Sequence, residues 1–312
     1  MDTMITVDNL GKRYAGKQAI TNLSFTVPDG QVTGFLGPNG AGKSTTMRCM
    51  LGLDKPTTGQ ALVDGAEFAG LRDKASHVGA LLEASWFNPS RSGRSHLQVL
   101  ARGAGIRDSR VEECLEAVGL GEAGDKKVGG YSLGMKQRLG LAGALLGDPK
   151  HLILDEPVNG LDPEGVLWMR KKIRGLAAEG RSVLVSSHLL SEMQQTADRL
   201  VVIGKGQLIG EYTMEEFLAG GTSVIVETAQ PQQAQQLQQR LSAAGVEVLE
   251  VAGGQLSLAV PEGASEREIR AIVARIALDM QVPVTELRTE TQNLEQRFLA
   301  ATADAQEYST VS

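Results

Sequence analysis

Cysteine is nearly absent from this 312-residue chain, with only Cys49 and Cys114. No CxxC pair occurs, so zinc fingers and a disulfide framework are excluded, and a reducing cytosol is the compartment that fits. Aromatic residues are also scarce, at 4%. Basic residues show no excess: 31 Lys and Arg stand against 37 Asp and Glu, a formal net charge of −6. The chain therefore lacks the overall positive field that draws nucleic acid, and no nucleic-acid partner is expected. The N-terminal stretch MDTMITVDNLGKRY has no apolar signal core, and no apolar run approaches the ~18 residues that span a bilayer. If the protein works at a membrane, a partner must supply the crossing. Hydrophobic content of 42% and charged content of 22% belong to a globular protein, and the length suggests two domains.

Short apolar runs at 5–7, 23–27, 32–36, 60–63, 78–82, 151–154 and 182–186 read as strands. Helical spacing marks 44–51, 96–101, 110–118, 136–146 and 164–178, with helical texture throughout 89–147. Strands alternating with helices imply a parallel sheet carrying its ligand at the strand C-terminal ends. Gly220-Gly221 reads as a boundary. Beyond it come strand 223–227, helix 232–244, strands 246–251 and 255–260, helix 266–278 and strand 284–287. That order predicts a ferredoxin-like unit, followed by a last helix at 293–301. The Gln-rich stretch QPQQAQQLQQR carries Ala234, Leu237 and Leu241 at helical spacing, and so reads as a surface helix.

The chemistry concentrates in Gly37-Pro38-Asn39-Gly40-Ala41-Gly42-Lys43-Ser44-Thr45. Gly37, Gly42, Lys43 and Ser44 fit G-x-x-x-x-G-K-[ST]. In such a loop the backbone N–H groups turn inward on phosphates, the lysine reaches the outer ones and the serine hydroxyl meets Mg²⁺. The strand before the loop and the helix after it are the context this motif requires. An apolar strand ending in acids should lie beside it, and His151-Leu152-Ile153-Leu154-Asp155-Glu156 supplies one. Asp155 is then the candidate metal ligand, and Glu156 the candidate general base for an attacking water. His188 ends the next apolar strand, where its imidazole could face the γ-phosphate.

A second anion-holding turn, Tyr131-Ser132-Leu133-Gly134-Met135-Lys136-Gln137-Arg138, lacks a lysine of the loop type. With its order in the chain, it makes residues 4–218 resemble the ATP-binding subunit of an ABC transporter, YSLGMKQR standing where that family has its signature. The resemblance implies an α/β P-loop NTPase (RecA-like) core in an ATPase domain of residues 1–220. That domain would have an N-terminal antiparallel β subdomain and a helical insertion at about 88–147. Residues 221–312 would form a small α+β accessory domain, regulatory or dimer-stabilising. It further implies ATP and Mg²⁺, and head-to-tail pairing with a second ATPase subunit, a homodimer being favoured. Ser132 and the Gly134 N–H would then cover a neighbour's ATP, and an N-cap at Ser132 is compatible with that role. Tyr14 matches the aromatic that stacks on adenine, and Asn159-Gly160-Leu161-Asp162 the loop that touches the partner. A separate membrane permease, with the ATPase on the cytoplasmic face of the membrane, completes the expectation.

Three positions depart from the family pattern. Glu83 stands where a glutamine is usual; it can ligate Mg²⁺ but, when ionised, cannot donate a hydrogen bond. Leu133 replaces a glycine of the signature, and Met135 a polar residue. The segment EASWFNPSRSGRSHLQVL gathers Trp86, Phe87 and Pro89 where the family receives a helix of the membrane subunit, though core packing would use the same side chains. The wording GALLEASWFNPSRSGRSHL, YSLGMKQR and DEPVNGLDPEG is similar to bacterial type 2 exporters of the antibiotic-resistance, lantibiotic-immunity and polysaccharide-export kinds. The competing class is a soluble ABC ATPase acting on ribosomes or DNA, and an unrelated P-loop kinase or GTPase is a third.

Overall fold

The computed structural model describes residues 4–82, 87–219, 222–261 and 264–291. The chain divides into two compact units between Met214 and Glu215.

In the first unit, β1 (Met4–Tyr14) and β2 (Lys17–Pro28) form a long antiparallel hairpin. The sequence pattern marks only residues 5–7 and 23–27 as strand. Register shifts after Val7, Leu10 and Lys12, with Asn9 at φ 48°, break the apolar alternation without breaking the pairing. β3 (Val32–Leu36) follows, then α1 (Lys43–Met50), β4 (Thr58–Val63) and β5 (Ala66–Glu67). The hairpin joins β4 and β5 in a four-stranded sheet of order β2-β1-β4-β5. Phe25 of β2 stacks on Phe35 of β3 at 5.2 Å, inside an apolar core shared by this sheet and the next.

That second sheet comprises β6 (Val78–Leu81), β7 (His151–Leu154), β8 (Ser182–Ser187), β9 (Arg199–Gly204) and β10 (Gln207–Thr213) around β3. Its order is β10-β9-β3-β8-β7-β6. All pairings are parallel except β9 with β10. β3, β7 and β8 are buried at every residue. This is why their sequences read as continuous apolar runs, as strands covered on both faces do. The β9–β10 hairpin, absent from the sequence-based expectation, turns at Lys205-Gly206, both with positive φ.

Short helix α2 (Lys74–His77) precedes β6; α3 (Gly93–Gly103), α4 (Ser109–Ala117) and α5 (Leu133–Leu145) form the helical insertion. α6 (Pro163–Ala178) and α7 (Leu190–Gln194) return between core strands. Helix α5 begins three residues before its expected start, because Ser132 caps it by accepting from the Met135 N–H at 3.2 Å.

After α8 (Met214–Ala219), the second unit runs β11 (Thr222–Thr228), α9 (Pro231–Ala243), β12 (Val248–Ala252), β13 (Gln255–Ala259), α10 (Glu266–Asp279) and β14 (Val284–Thr291). Its sheet order, β12-β13-β11-β14, with every pair antiparallel, is that of a ferredoxin-like unit. Val224, Val226, Leu256 and Leu258 pack beneath Leu237, Leu241, Ile269 and Val273 of the two helices. The Gln-rich stretch is α9, with Ala234, Leu237 and Leu241 buried. The expected helix at 293–301 lies outside the described residues.

Candidate nucleotide site

The glycine loop leaves the C-terminal end of β3. A Cβ at Gly37 would lie 2.6 Å from the Ile203 carbonyl oxygen, so no larger residue allows this approach to β9. Gly42 holds φ 103°, a left-handed backbone, and a Cβ there would press on the Ala19 carbonyl at 3.0 Å. As the N-cap of α1 it offers no side-chain bond, so the first N–H groups of the helix stay available to an anion. Lys43 folds back over the loop, donating to the Gly37 carbonyl at 2.7 Å and the Pro38 carbonyl at 3.3 Å.

The acids arrive from the neighbouring strand. The Asp155 N–H donates to Leu81 at 2.7 Å, and its carboxylate accepts from the Ser186 hydroxyl of β8. The same hydroxyl accepts from the Glu156 N–H at 2.8 Å. Glu156 sits at φ 48° directly before Pro157. One of its carboxylate oxygens lies 3.6 Å from Lys43 Nζ, and the other 2.8 Å from His188 Nδ1. Lys43 is only 6% exposed, Glu156 23% and His188 33%. Burial pushes the Lys43 ammonium below the ordinary lysine range, against the pull of Glu156 and Asp155.

A cavity of about 340 Å³ opens between these groups, lined by Asn39, Gly40, Gly42, Lys43, Ser44, Thr45, Glu156, Asn159 and His188. A second, of about 480 Å³, shares Ala19, Gly40 and Thr45 with the first and extends to Tyr14, Lys17 and Lys205. The structure thus brings together the glycine loop, Tyr14, Glu156 and His188. Ala41 is buried beneath the loop, its carbonyl accepting from the Gly206 N–H at 3.0 Å. Ser132 and Gly134 are not among the residues that line either cavity. Glu83 and Trp86 lie outside the described residues. Ser186 escaped the sequence reading. Its signal is a hydroxyl at the ligand end of an otherwise apolar strand.

A family model described as ABC transporter matches residues 20–159. The ABC transporter ATP-binding protein YhcH of Bacillus subtilis (strain 168) is 38% identical over 311 residues, covering 98% of both chains. The chain belongs to the ATP-binding proteins of ABC transporters. This ABC ATPase is also 43% identical over 214 residues to the bacitracin transport ATP-binding protein BcrA of Bacillus licheniformis, covering 68% of this chain and 70% of that one. A solved ATP binding subunit of an ABC transporter superposes with a TM-score of 0.63 at 25% identity, over 69% of this chain and 92% of its own. The cassette binds nucleotide, and its family hydrolyses ATP. A role as a transporter subunit implies a membrane permease partner. The ribosome or DNA alternative is not favoured by these relatives. Among the described residues no helix is long and apolar enough to cross a membrane.

The residues present fit Mg²⁺. Among the described residues no three His, Cys, Asp or Glu side chains group to hold a metal on their own. A P-loop magnesium site needs no such group, because Mg²⁺ takes few protein oxygens and completes its shell from phosphates and water. Ser44 Oγ and the Asp155 carboxylate are hard oxygen donors of that kind.

Proposed function

We propose that this chain is the ATP-hydrolysing subunit of an exporter, pairing head to tail with a second copy on two ATP–Mg²⁺ and driving a separate permease from the cytoplasmic face of the membrane. The observation that carries the reading is the convergence of Lys43, Glu156 and His188 on one cavity over the glycine loop, with the signature residues outside its lining. Lys43 and His188 each contact a Glu156 carboxylate oxygen above the loop, while Ser132 and Gly134 line neither cavity. Their place outside both linings supports a signature that covers a partner's nucleotide.

In this reading the loop N–H groups and Lys43 hold the β- and γ-phosphates, and Tyr14 takes the adenine. Lys43 exchanges the Gly37 and Pro38 carbonyls for phosphate oxygens. Ser44 and Asp155 would hold Mg²⁺, with Glu83 a further candidate ligand, and the ion would supply charge neutralisation at the phosphates. Glu156 accepts the proton of the attacking water, and His188 holds that carboxylate in place through its 2.8 Å contact while facing the γ-phosphate. Positioning and charge neutralisation supply most of the catalysis.

Export by a permease needs a docking surface. An apolar groove of about 400 Å³ lies in the helical insertion against β6, lined by Leu81, Leu82, Phe87, Leu100, Ile106 and Leu139 among others. Phe87 stands edge-on to His96 at 4.9 Å on its wall, and Val99 and Leu100 are exposed on α3. A short amphipathic helix of the permease fits such a surface. BcrA favours an antibiotic-like cargo. The ferredoxin-like unit carries none of these catalytic groups, and we assign it a regulatory or dimer-stabilising role.

The test is a co-purification. The Glu156→Gln chain is tagged, expressed in its own host, and recovered from gently solubilised membranes. A partner with roughly six membrane spans, the ~20-residue apolar helices that hydropathy identifies, is the expected result. Recovery with ribosomes or DNA-binding proteins instead would overturn the transport reading and leave only the ATPase.

A further inference from the structure

Tyr14 sits near the tip of the β1–β2 hairpin, a place where side chains are ordinarily free to turn. Here it is moored. Its hydroxyl donates to Asp54 Oδ2 at 2.7 Å, and the same oxygen accepts from Arg48 Nε at 2.7 Å. Arg48 belongs to α1, the helix that begins at Lys43, and Asp54 lies in the turn that closes it, its own N–H donating to the Arg48 carbonyl at 3.2 Å. The ammonium of Lys12 stands over the Tyr14 ring, 4.7 Å from its centroid, and is itself fixed by donating to the Lys55 carbonyl at 2.7 Å. Two backbone ties run alongside: Arg13 N–H to Thr57 Oγ1 at 3.0 Å, and Thr57 N–H to the Gly11 carbonyl at 2.7 Å. The hairpin is thus bound to the far end of the helix whose near end carries the phosphate lysine.

The consequence for the ring is specific. A cation occupies one face, so a planar ligand must take the other. The hydroxyl is tethered, so the ring cannot leave the cavity it shares with Gly40 and Thr45, and the Lys12 ammonium over one face sets how the ring is turned about its long axis. Burial, with the Asp54 carboxylate next in effect, pushes the phenol up to about 12, so it remains a donor at neutral pH. Tyr14 is nevertheless 41% exposed, leaving contact area for a base.

We propose that Asp54 is a positioning residue for the purine base: through its paired contacts to Tyr14 and Arg48 it locks the Tyr14 ring in stacking orientation and fixes that platform at a set distance from the phosphate loop. This deepens the nucleotide-site reading and rests on it. Asp54 lines neither cavity of the nucleotide site. It lowers the ordering that Tyr14 would otherwise undergo on binding, which for one side chain corresponds to about three- to tenfold in affinity.

The experiment separates base from phosphate. Calorimetric titration of the full chain measures ATP and inorganic tripolyphosphate, which carries the charge but no base. Asp54→Ala should weaken ATP three- to tenfold and leave tripolyphosphate within about twofold. Asp54→Asn, which keeps an acceptor for the phenol, should restore ATP binding to within about twofold of the parent. Tyr14→Phe should lose the same factor for ATP, and the double substitution no more than either single one, as groups acting through one contact do. Should Asp54→Ala fail to fold, the Tyr14→Phe and Asp54→Asn pair carries the same comparison. Equal weakening of ATP and tripolyphosphate, unchanged ATP affinity, or additive losses in the double variant would each overturn the proposal. Lys43→Ala is the separate control. If it kept affinity for both ligands, the nucleotide site itself would be misassigned, whatever Asp54 does.

Discussion

Replacing Glu156 by glutamine removes one charge and almost no volume, so its effects can be worked from the geometry. Its carboxylate lies 3.6 Å from Lys43 Nζ, in a site where the lysine is 6% exposed. At an effective dielectric near 20, that separation corresponds to about 4–5 kcal/mol of attraction. Glu156 keeps partial contact with water, and hydration lost by both ions offsets part of this, leaving a net of about 2 kcal/mol. Without nucleotide, Glu156→Gln leaves the Lys43 ammonium with two carbonyl acceptors and the weaker pull of Asp155. The ATPase unit should lose ~2 kcal/mol and melt about 4–8 °C lower. With ATP the sign reverses. The triphosphate supplies the missing counter-charge and no longer faces a carboxylate, so the variant should bind ATP about ten- to thirtyfold more tightly than the parent. Hydrolysis should fall by ~10²–10⁴-fold as the base is lost. Calorimetric melts with and without ATP, equilibrium titration, and phosphate release from the same preparation read all three. A variant that melts like the parent and binds ATP no more tightly would show that the ion pair does not hold Lys43. Retained turnover would remove Glu156 from its role as base.

Two further predictions concern buried titratable groups. Lys43 is held below the lysine value of 10.5 by burial; between its lowered value and 10.5 the unfolded chain binds the extra proton, so stability without nucleotide should rise with pH across that window while ATP affinity falls. Lys43→Met should flatten the stability slope, and an identical slope in parent and variant would refute the assignment. His151, wholly buried, contacts Ser182 Oγ and Asp64 Oδ1 at 3.0 Å each through its two ring nitrogens; His151→Leu should cost ~2–4 kcal/mol in urea unfolding, because two polar groups lose a buried partner, and a loss below about 0.5 kcal/mol would contradict that accounting.

What was legible in the sequence was local. The glycine loop and the Asp155-Glu156 strand end are contiguous patterns whose chemistry depends on spacing of a few residues, and both stand where the pattern puts them. The ferredoxin-like unit was legible for the same reason, since each of its strands and helices carries its own period. Contacts made between strands were not. Ser186 grips the Asp155 carboxylate and the Glu156 N–H from β8, thirty residues downstream. Asp54 meets Tyr14 across forty positions. The β1–β2 hairpin was read too short because its bulges interrupt alternation while hydrogen bonding continues. Helix α5 was read too late because the Ser132 cap lies before the first apolar residue of the periodic stretch. The β9–β10 hairpin went unread although Leu200–Ile203 is a continuous apolar run, since strand 182–186 already closed the pattern expected of the site.

The backbone at Glu156 shows why the order of strands, rather than the motif alone, sets the catalytic geometry. A residue before proline is driven towards extended backbone, yet Glu156 holds φ 48°. Such a conformation costs of order 1–3 kcal/mol and persists only when its surroundings over-determine it. Here the surroundings are identifiable. Ser186 of β8 accepts from its N–H, the Asn159 N–H donates to its carbonyl at 3.1 Å, and Lys43 and His188 hold the two carboxylate oxygens. Strand β8 lies between β3 and β7, so it separates the strand that carries the glycine loop from the strand that carries the acids. It delivers His188 into that gap and ties both sides, because Ser187 accepts from the Gly37 N–H while Ser186 holds Asp155 and Glu156. A displacement of β8 would therefore shift Glu156, the loop and His188 together. Strand β8, which ends one residue before His188, thus supports the glycine loop and both acids through its own backbone and hydroxyl.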